Sequence, residues 1–449
     1  MMPGQPERLL EVSVVSKWVN IGFCVLSLAA VAGAASAQTA EQRVQTILGS
    51  APYRDARAFL EADHDRFVKE LITLTEIPAP PFKEQKRAAA YLEMLRAAKL
   101  TDVEMDAEGN VMGVRKGLGT APMLAVLAHL DTVFPEGTDV TVKRNGTRVL
   151  APGAGDDTGA LALMLTVIRA MDAAKIQTMG DILFVGNVGE EGEGDLRGVK
   201  YLLQKGKYKD RIKSFISIDG GTQDGIVTGG LGSHRYKVTF TGPGGHSYGA
   251  FGLVSPAFAM GNAMTKFSKL QVPASPRTTF NVGVVGGGTS VNSIPTQMYM
   301  LVDMRSESPD ELKKVDDAFQ RVVREAVDEE NKARSTAEGK VVVDIKLIGD
   351  RPSGTTPSSA YLVQAAVAVS RSFGFNPSFE IGSTDANVPI SMGIPAITIG
   401  RGPGGRSHAL DEWIDVSAER NVQAGQVVLA TIMAAASGGD AAVGVGLRR

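Results

Sequence analysis

The sequence holds a single cysteine, Cys24, in 449 residues. That excludes an intrachain disulfide and any thiolate cluster able to hold a metal. Histidine is scarce too, at five, so a bound metal would have to sit on those few imidazoles together with Asp and Glu. An excess of one charge is also missing, because 47 Lys and Arg face 49 Asp and Glu. The basic residues are scattered, and nothing argues for a nucleic-acid surface. Aromatics make up only 6% of the chain. What is present in quantity is apolar material, 43% of residues, and 51 glycines. Such a composition supports a sizeable core with many tight turns, and excludes disorder and a fibrous fold. At roughly 100–200 residues per domain, the length implies two to four domains, or one large enzyme with an insertion.

Only one apolar run approaches the length needed to span a bilayer. It follows Lys17, reads WVNIGFCVLSLAAVAGA and leads into Ala35-Ser36-Ala37. A positive residue, an apolar stretch and an A-x-A site describe a cleavable secretory signal peptide over residues 1–37. A retained anchor is the competing reading, and Asn20 and the small residues at the end of the run count against it. Gly22-Phe23 before Cys24 is the wrong flank for a lipoprotein. The mature protein is therefore expected to be secreted or periplasmic, with no membrane association after cleavage. The tail 438–449, rich in small residues, is expected to be flexible.

Apolar positions recur at helical spacing from 56 to 75 and stop at Ile77-Pro78-Ala79-Pro80, and Glu84 to Ala98 fits another helix. Strands VEMDA, NVMGVR and MLAVLAHL follow. Asn145-Gly146 marks a hairpin, since both turn positions need positive φ. Helix 158–173, strand DILFVGNV, helix 195–204 and strand SFISID then alternate as in a parallel or mixed α/β sheet. Near residue 229 the pattern changes. Strands HRYKVTFTG, RTTFNVGVVGGG and MYMLVDMRS, with helices 254–269 and 309–328, read as an α+β unit. Past 345 the alternation returns with helix 358–374, strand PAITIG and helix 417–436. The expected fold class is α/β: a discontinuous domain (40–228 and 346–437) with a mixed sheet flanked by helices, carrying an α+β insertion at 229–345.

Ligand sites in open α/β sheets form at the carboxyl ends of strands, and several of these ends carry metal-type ligands. MLAVLA ends in His129-Leu130-Asp131, and the loop before helix 158–173 holds Asp156-Asp157. DILFVGNV ends in Glu190-Glu191, SFISI ends in Asp219, and His408 lies in the loop after PAITIG. Crowded carboxylates without counter-charge are costly, and a divalent cation is what usually holds them. Two imidazoles among carboxylates suit zinc, cobalt or manganese better than calcium. Two ions sharing one carboxylate could lower the pKa of a bridging water toward about 7. A further carboxylate could act as general base, a role worth about 10²–10⁴ in rate. Each piece alone has a bland explanation, such as a surface pair, solvated loop acids or a helix N-cap. Their joint occurrence at successive strand ends points to a site.

These residues lie in blocks, AHLDTV, GAGDDTGA, GEEGEGD, ISIDGG, GPGGHS, GSTDAN and GGRSHALDEWID. In this order the sequence resembles the co-catalytic zinc exopeptidases, which include peptidase T, the glutamate-releasing carboxypeptidases, aminoacylase and succinyl-diaminopimelate desuccinylase. The resemblance runs from about Ala51 to Ala436. It implies two divalent ions, zinc or else cobalt or manganese, with Asp156 bridging them. His129 and Asp219 would complete one site, Glu191 and His408 the other. Asp131 would orient His129, and Glu190 would be the general base. The insertion would be a lid that also makes a homodimer, its His246 reaching the partner's site to steady the oxyanion. Asn292 and Arg305 would hold the substrate carboxylate, and Ser383, Thr384 and Asp385 would line the pocket. The implied substrate is a small peptide or an N-acyl amino acid.

The sequence departs from the family pattern in two places. Thr158 follows the paired acids where many relatives have Lys, so nothing local neutralises Asp157. Asp219 stands where the deacylases often have Glu, which tilts the substrate toward small peptides. Two other classes compete. Gly245-His246-Ser247-Tyr248-Gly249 satisfies the nucleophile-elbow pattern of serine hydrolases, with Asp385 and His408 following in order. Gly242-Pro243-Gly244 intervenes where that motif needs a strand, and no oxyanion segment lies upstream. A catalytically dead peptide-binding protein would lack a ligand or the base, and here every such position is filled.

Overall fold

Strands that are apolar on both faces need cover on both sides, and MLAVLAH and ILFVGN are of this kind. The computed structural model describes residues 38–437; the expected signal peptide and tail lie outside them. Before residue 232 the chain forms β1 (Thr101–Met105), β2 (Val111–Arg115), β3 (Ala121–His129), β4 (Gly180–Asn187), β5 (Ile212–Ile218) and β6 (Gly225–Gly230). Between 232 and 351 it forms β7 (Gly232–Thr241), β8 (Thr278–Gly287), β9 (Gln297–Ser306) and β10 (Val342–Arg351). Finally come β11 (Gly354–Thr355), β12 (Ser378–Gly382) and β13 (Ala396–Ile399).

The central sheet is mixed, in the order β1-β2-β4-β3-β5-β13-β6-β11, with β12 paired to β6. Its middle four strands, β4, β3, β5 and β13, are mutually parallel. Their registers match His129 with Asn187 and Ile399 with Ile218, so their carboxyl ends share one edge. Side-chain alternation along β3 splits the core. Leu124, Val126 and Ala128 pack into one apolar cluster under helices that include Gly159–Ala173 and Ala418–Ala435. Met123, Ala125 and Leu127 pack into a second cluster with Val199 and Leu202 of Arg197–Gln204. Truncating Leu124, Met123 or Leu127 to Ala would cost about 2–5 kcal/mol. Among the described residues no helix is long and apolar enough to cross a membrane.

The helix expected over 56–75 is two helices, Ala51–Ala62 and His64–Thr75. Asp63 sits at the break, where its carboxylate takes Nε and Nη2 of the buried Arg169 at 3.0 and 2.5 Å. A helix over Ala40–Leu48 was not expected, although the Thr39–Gln42 capping box that starts it is local. The Asn145-Gly146 hairpin is present, pairing Lys143–Asn145 with Arg148–Leu150, and Trp413–Asp415 lies beside it.

The second sheet, β8-β9-β7-β10, is antiparallel throughout. One face packs Val238, Phe240, Met300 and Val302 against Phe267 and Phe319 of helices Pro256–Phe267 and Pro309–Ala333, a core of its own. Strand β10 runs across the boundary expected at 345, because the alternation of KVVVDIKLIGDR continues the sheet to Arg351.

Candidate metal centre

The shared edge of the parallel strands gathers the acids and imidazoles. His129 ends β3, Asp219 follows β5, and Glu190 and Glu191 lie just past β4. Asp156 enters from a tight turn ahead of helix Gly159–Ala173. A Cβ at Gly155 in that turn would lie 2.5 Å from Arg401 Nη2 and 2.9 Å from Glu412 Oε1, so a larger residue would have to displace both buried side chains.

His129 Nε2 lies 2.9 Å from Asp156 Oδ1, and His408 Nε2 lies 2.9 Å from Glu191 Oε1 and 3.4 Å from Asp156 Oδ2. Ligand atoms of His129, Asp156 and Asp219 fall within 4.8 Å of one another, as do those of Asp156, Glu191 and His408. Asp156 therefore belongs to two groups. A third grouping, His129 with Glu190 and Glu191, meets the same limit and places Glu190 against the centre.

The electrostatics are those of acids in want of positive charge. Burial and then the neighbouring Asp156 push Asp219 up to about 6. Burial likewise holds Glu190 well above the carboxylate range, with Arg351 opposing it. Burial would raise Asp156 too, but the imidazoles of His129 and His408 outweigh it and hold the carboxyl far below its ordinary range. Contacts with Asp156 and Glu191 push His408 up to about 10. A divalent cation fits such a set: convergent carboxylate oxygens and imidazole nitrogens, short of counter-charge.

Behind these groups lie braces. The Asp131 carboxylate accepts the N–H groups of Glu190 and Glu191 at 3.1 and 2.8 Å. Its distance to His129 Nδ1 is 3.7 Å, whereas its backbone carbonyl is nearer, at 3.1 Å. Asp131 thus fixes the acid loop with its side chain and meets the imidazole chiefly with its main chain. Glu412 accepts N–H groups from Gly153, Gly155 and Asp156 at 3.2, 2.7 and 2.6 Å, so it holds the Asp156 turn in place. Asp157 accepts the His129 N–H at 3.2 Å. Burial holds the Asp157 carboxyl well above its ordinary range; His129 opposes this, and so, more weakly, does Arg401 after β13, whose buried guanidinium donates to the Gly155 carbonyl.

Not all the expected site residues converge. Asp156, Glu190, Glu191, Asp219 and His408 line a cavity of about 410 Å³, together with Ser383 and the arginines Arg235, Arg305 and Arg351. Thr384 and Asp385 face inward instead. Thr384 Oγ1 lies 2.8 Å from Thr398 Oγ1, and the fully buried Asp385 accepts from Asn187 at 2.7 Å. His246 and Asn292 are exposed on a small ribbon that pairs His246 with Ser293, outside the cavity lining of their own chain. Ser247 shares that ribbon's turn, while His408 faces Glu191 and Asp156, so no serine triad is assembled.

Sequence reasoning missed Arg351, Arg235, Arg401 and Glu412. Arg351 donates Nη1 to Glu190 Oε1 at 3.2 Å and to Ser383 Oγ at 3.0 Å, and Nη2 to the Glu190 carbonyl. Its only local signal is the end of an alternating strand. Glu412 lies inside the quoted block GGRSHALDEWID, where it reads as one more loop acid.

Residues 125–435 match the family described as Peptidase family M20/M25/M40. Over 322 residues the chain is 25% identical to carboxypeptidase G2 of Pseudomonas sp. (strain RS-16), covering 69% of this chain and 73% of that protein. Its fold is similar to a tripeptidase from Staphylococcus aureus, with a TM-score of 0.66 and 23% identity over 83% of this chain and 98% of that one. It is also similar to a dinuclear metal-binding peptidase of the M20 family from Bacillus subtilis, with a TM-score of 0.60 and 17% identity over 83% and 98% of the two chains. With the family match spanning most of the chain and metal-type ligands gathered at the edge of its central sheet, the protein belongs to peptidase family M20/M25/M40, metallopeptidases and related hydrolases that act on peptide or amide bonds.

Proposed function

We propose that the protein is an exported exopeptidase that hydrolyses an amide bond of small peptides with two divalent cations, most simply zinc. The main support is Asp156, whose carboxylate belongs to both ligand groups with Glu190 beside them. His129 and Asp219 would hold one cation and Glu191 and His408 the other. When bound, two such ions supply Lewis acidity and lower the pKa of water toward about 7.

The rest of the chemistry falls to the chain. Glu190, buried and facing the cavity, takes the proton of the attacking water and returns it to the leaving amine nitrogen. Asp131 keeps its loop from drifting through the two backbone hydrogen bonds. Arg305 meets the substrate carboxylate. His246 steadies the oxyanion from a partner subunit: within one chain it is exposed and does not line the cavity. The homodimer is further supported by β8, a sheet edge that carries the exposed Val284 and Val285, with Val291 just beyond it. Export rests on residues 1–37.

Hydrolysis of di- and tripeptides and N-acetyl amino acids after chelation, with Zn²⁺, Co²⁺ or Mn²⁺ restored, tests this proposal. Metal-restored cleavage of peptides supports it. Cleavage confined to N-acetyl amino acids would make the protein a deacylase of the same family. Activity indifferent to chelation would overturn the metal mechanism.

A further inference from the structure

Behind the acids and imidazoles of the centre lies a cation that makes no hydrogen bond or ion pair with them. Arg87, on helix Gln85–Ala97, is fully buried and is one of the largest side chains enclosed in the core. Among the described residues it forms no ion pair, and its three hydrogen bonds all go to main-chain carbonyls. Nε and Nη2 fork the Ile77 carbonyl at 3.1 and 2.8 Å, and Nη1 donates to the Leu130 carbonyl at 2.7 Å.

Leu130 sits between His129 and Asp131, one residue past the end of β3. Its N–H donates to the Asn187 carbonyl at 2.7 Å. Its own carbonyl lies beyond the strand ladders, whose registers end at His129 and Leu127. The neighbouring segment, Ile77-Pro78-Ala79-Pro80-Pro81, holds three prolines and is short of main-chain donors. A buried carbonyl needs a donor, and here Arg87 supplies one from its side chain. The same guanidinium ties the proline segment to the strand end, a tie repeated where the Thr132 N–H donates to the Ala79 carbonyl at 3.0 Å.

The charge has a use as well. An apolar side chain of this size would fill the space without the cost of desolvating a guanidinium. Burial lowers Arg87 to about 10, opposed first by the attraction of Asp131 and then by those of Glu412 and Glu84, so the group stays cationic at neutral pH. Asp131 and Glu412 are the two anionic braces of the centre. The Asp131 carboxylate holds the N–H groups of Glu190 and Glu191, and its main-chain carbonyl lies 3.1 Å from His129 Nδ1. The Leu130 carbonyl belongs to the peptide unit immediately before these groups, so its direction sets theirs.

We propose that Arg87 is a positioning residue for the metal centre. By holding the Leu130 carbonyl it orients Asp131, and through Asp131 both the His129 imidazole and the Glu190–Glu191 loop. This inference rests on the proposed function for the two cations that the centre would hold.

The test compares wild type with Arg87→Met and Arg87→Lys in three readouts. These are zinc affinity, the absorption spectrum of the cobalt-loaded protein, and nitrogen NMR of the imidazoles in the metal-free protein. Arg87→Met should bind zinc about 10–100-fold more weakly, with an altered cobalt spectrum and a shifted His129 Nδ1 signal. Arg87→Lys keeps the charge and one donor but not the fork, so it should lose only a few-fold. A purely structural role would lower the unfolding temperature of the metal-free protein and leave all three readouts unmoved. Zinc bound by wild type and equally well by both variants overturns the inference and leaves the metal reading intact. If Arg87→Met does not fold, wild-type affinity and spectrum in Arg87→Lys suffice to overturn it. No zinc binding by wild type, with the His129 signal still dependent on Arg87, overturns the metal reading and upholds the positioning role. Neither zinc binding nor an Arg87-dependent signal overturns both.

Discussion

The two sheets meet at one cavity but bring opposite charges to it. The central sheet contributes acids and imidazoles from the ends of buried parallel strands, and the second sheet contributes Arg235, Arg305 and Arg351 from its antiparallel strands. The first set is braced from behind by Asp131, Glu412 and Arg401, all fully buried or nearly so. The second set is held by cross-strand pairs such as Arg235–Asp303 on a half-exposed face. On the proposed function, this division assigns cation binding and substrate recognition to separate structures. Changes at the sheet edge should alter metal content or chemistry, and changes on the second sheet should alter substrate affinity.

The largest effect belongs to Glu190. Glu190→Gln should lose about 10²–10⁴ in kcat while bound metal, counted by elemental analysis, stays at the wild-type level. Near-normal turnover in that variant would end the general-base assignment. Glu412→Gln probes the braces. It weakens the three hydrogen bonds that hold the Asp156 turn, so metal affinity should fall about 10–100-fold, read by competition with a chelator, with the fold retained by circular dichroism. Arg305→Met is the counterpart on the second sheet. Losing a charge-assisted contact to the substrate should raise KM by roughly tenfold or more, with metal affinity unchanged. The comparison between the sheets fails if Glu412→Gln holds metal normally, or if Arg305→Met releases it.

The same division explains what could be read in advance. The acids and imidazoles of the site were legible because successive strand ends repeat them within a few residues of apolar runs, and because their order resembles a known family. The sheet class was legible from the alternation of apolar strands with helices. The arginines were not. Arg235 and Arg351 lie in alternating strands, where a charged residue ordinarily reads as a solvated face, and only pairing β7 with β9 and β10 brings them to the cavity. Arg401 and Glu412 were hidden for a related reason: each acts on the Asp156 turn some 250 positions earlier in the chain. The break at Asp63 also depends on a distant partner, Arg169. Local pattern finds groups that chemistry clusters in sequence, and misses those that folding alone brings together.

The smallest expected effect tests whether the second sheet holds itself together independently of the metal. His234 on β7 donates to or accepts from Asp316 of helix Pro309–Ala333 at 3.0 Å, and faces Asp350 of β10 at 3.6 Å, with Tyr236 edge-on beside it. The contact with Asp316 raises the His234 pKa above 6.5 despite partial burial. Asp316 is held below 3.8, because His234, Gln320 and Tyr236 together outweigh its burial. A raised imidazole contributes stability that is fully present below its unfolded pKa and fades as pH rises through the folded value. A depressed carboxyl contributes stability that is fully present above its unfolded pKa and fades as pH falls through the folded value. The pair should therefore help most between pH 3.8 and 6.5, the ordinary values of the two groups. His234→Gln should lower unfolding free energy by about 1 kcal/mol in that window, given the partial exposure of the imidazole. The deficit should shrink at alkaline pH in urea titrations. Chelation should leave this difference between wild type and variant unchanged if the second sheet is stabilised by its own core and charge pairs. A deficit that appears only with metal bound would mean that the two sheets are energetically one, and that the separation of binding from recognition stops at the cavity wall.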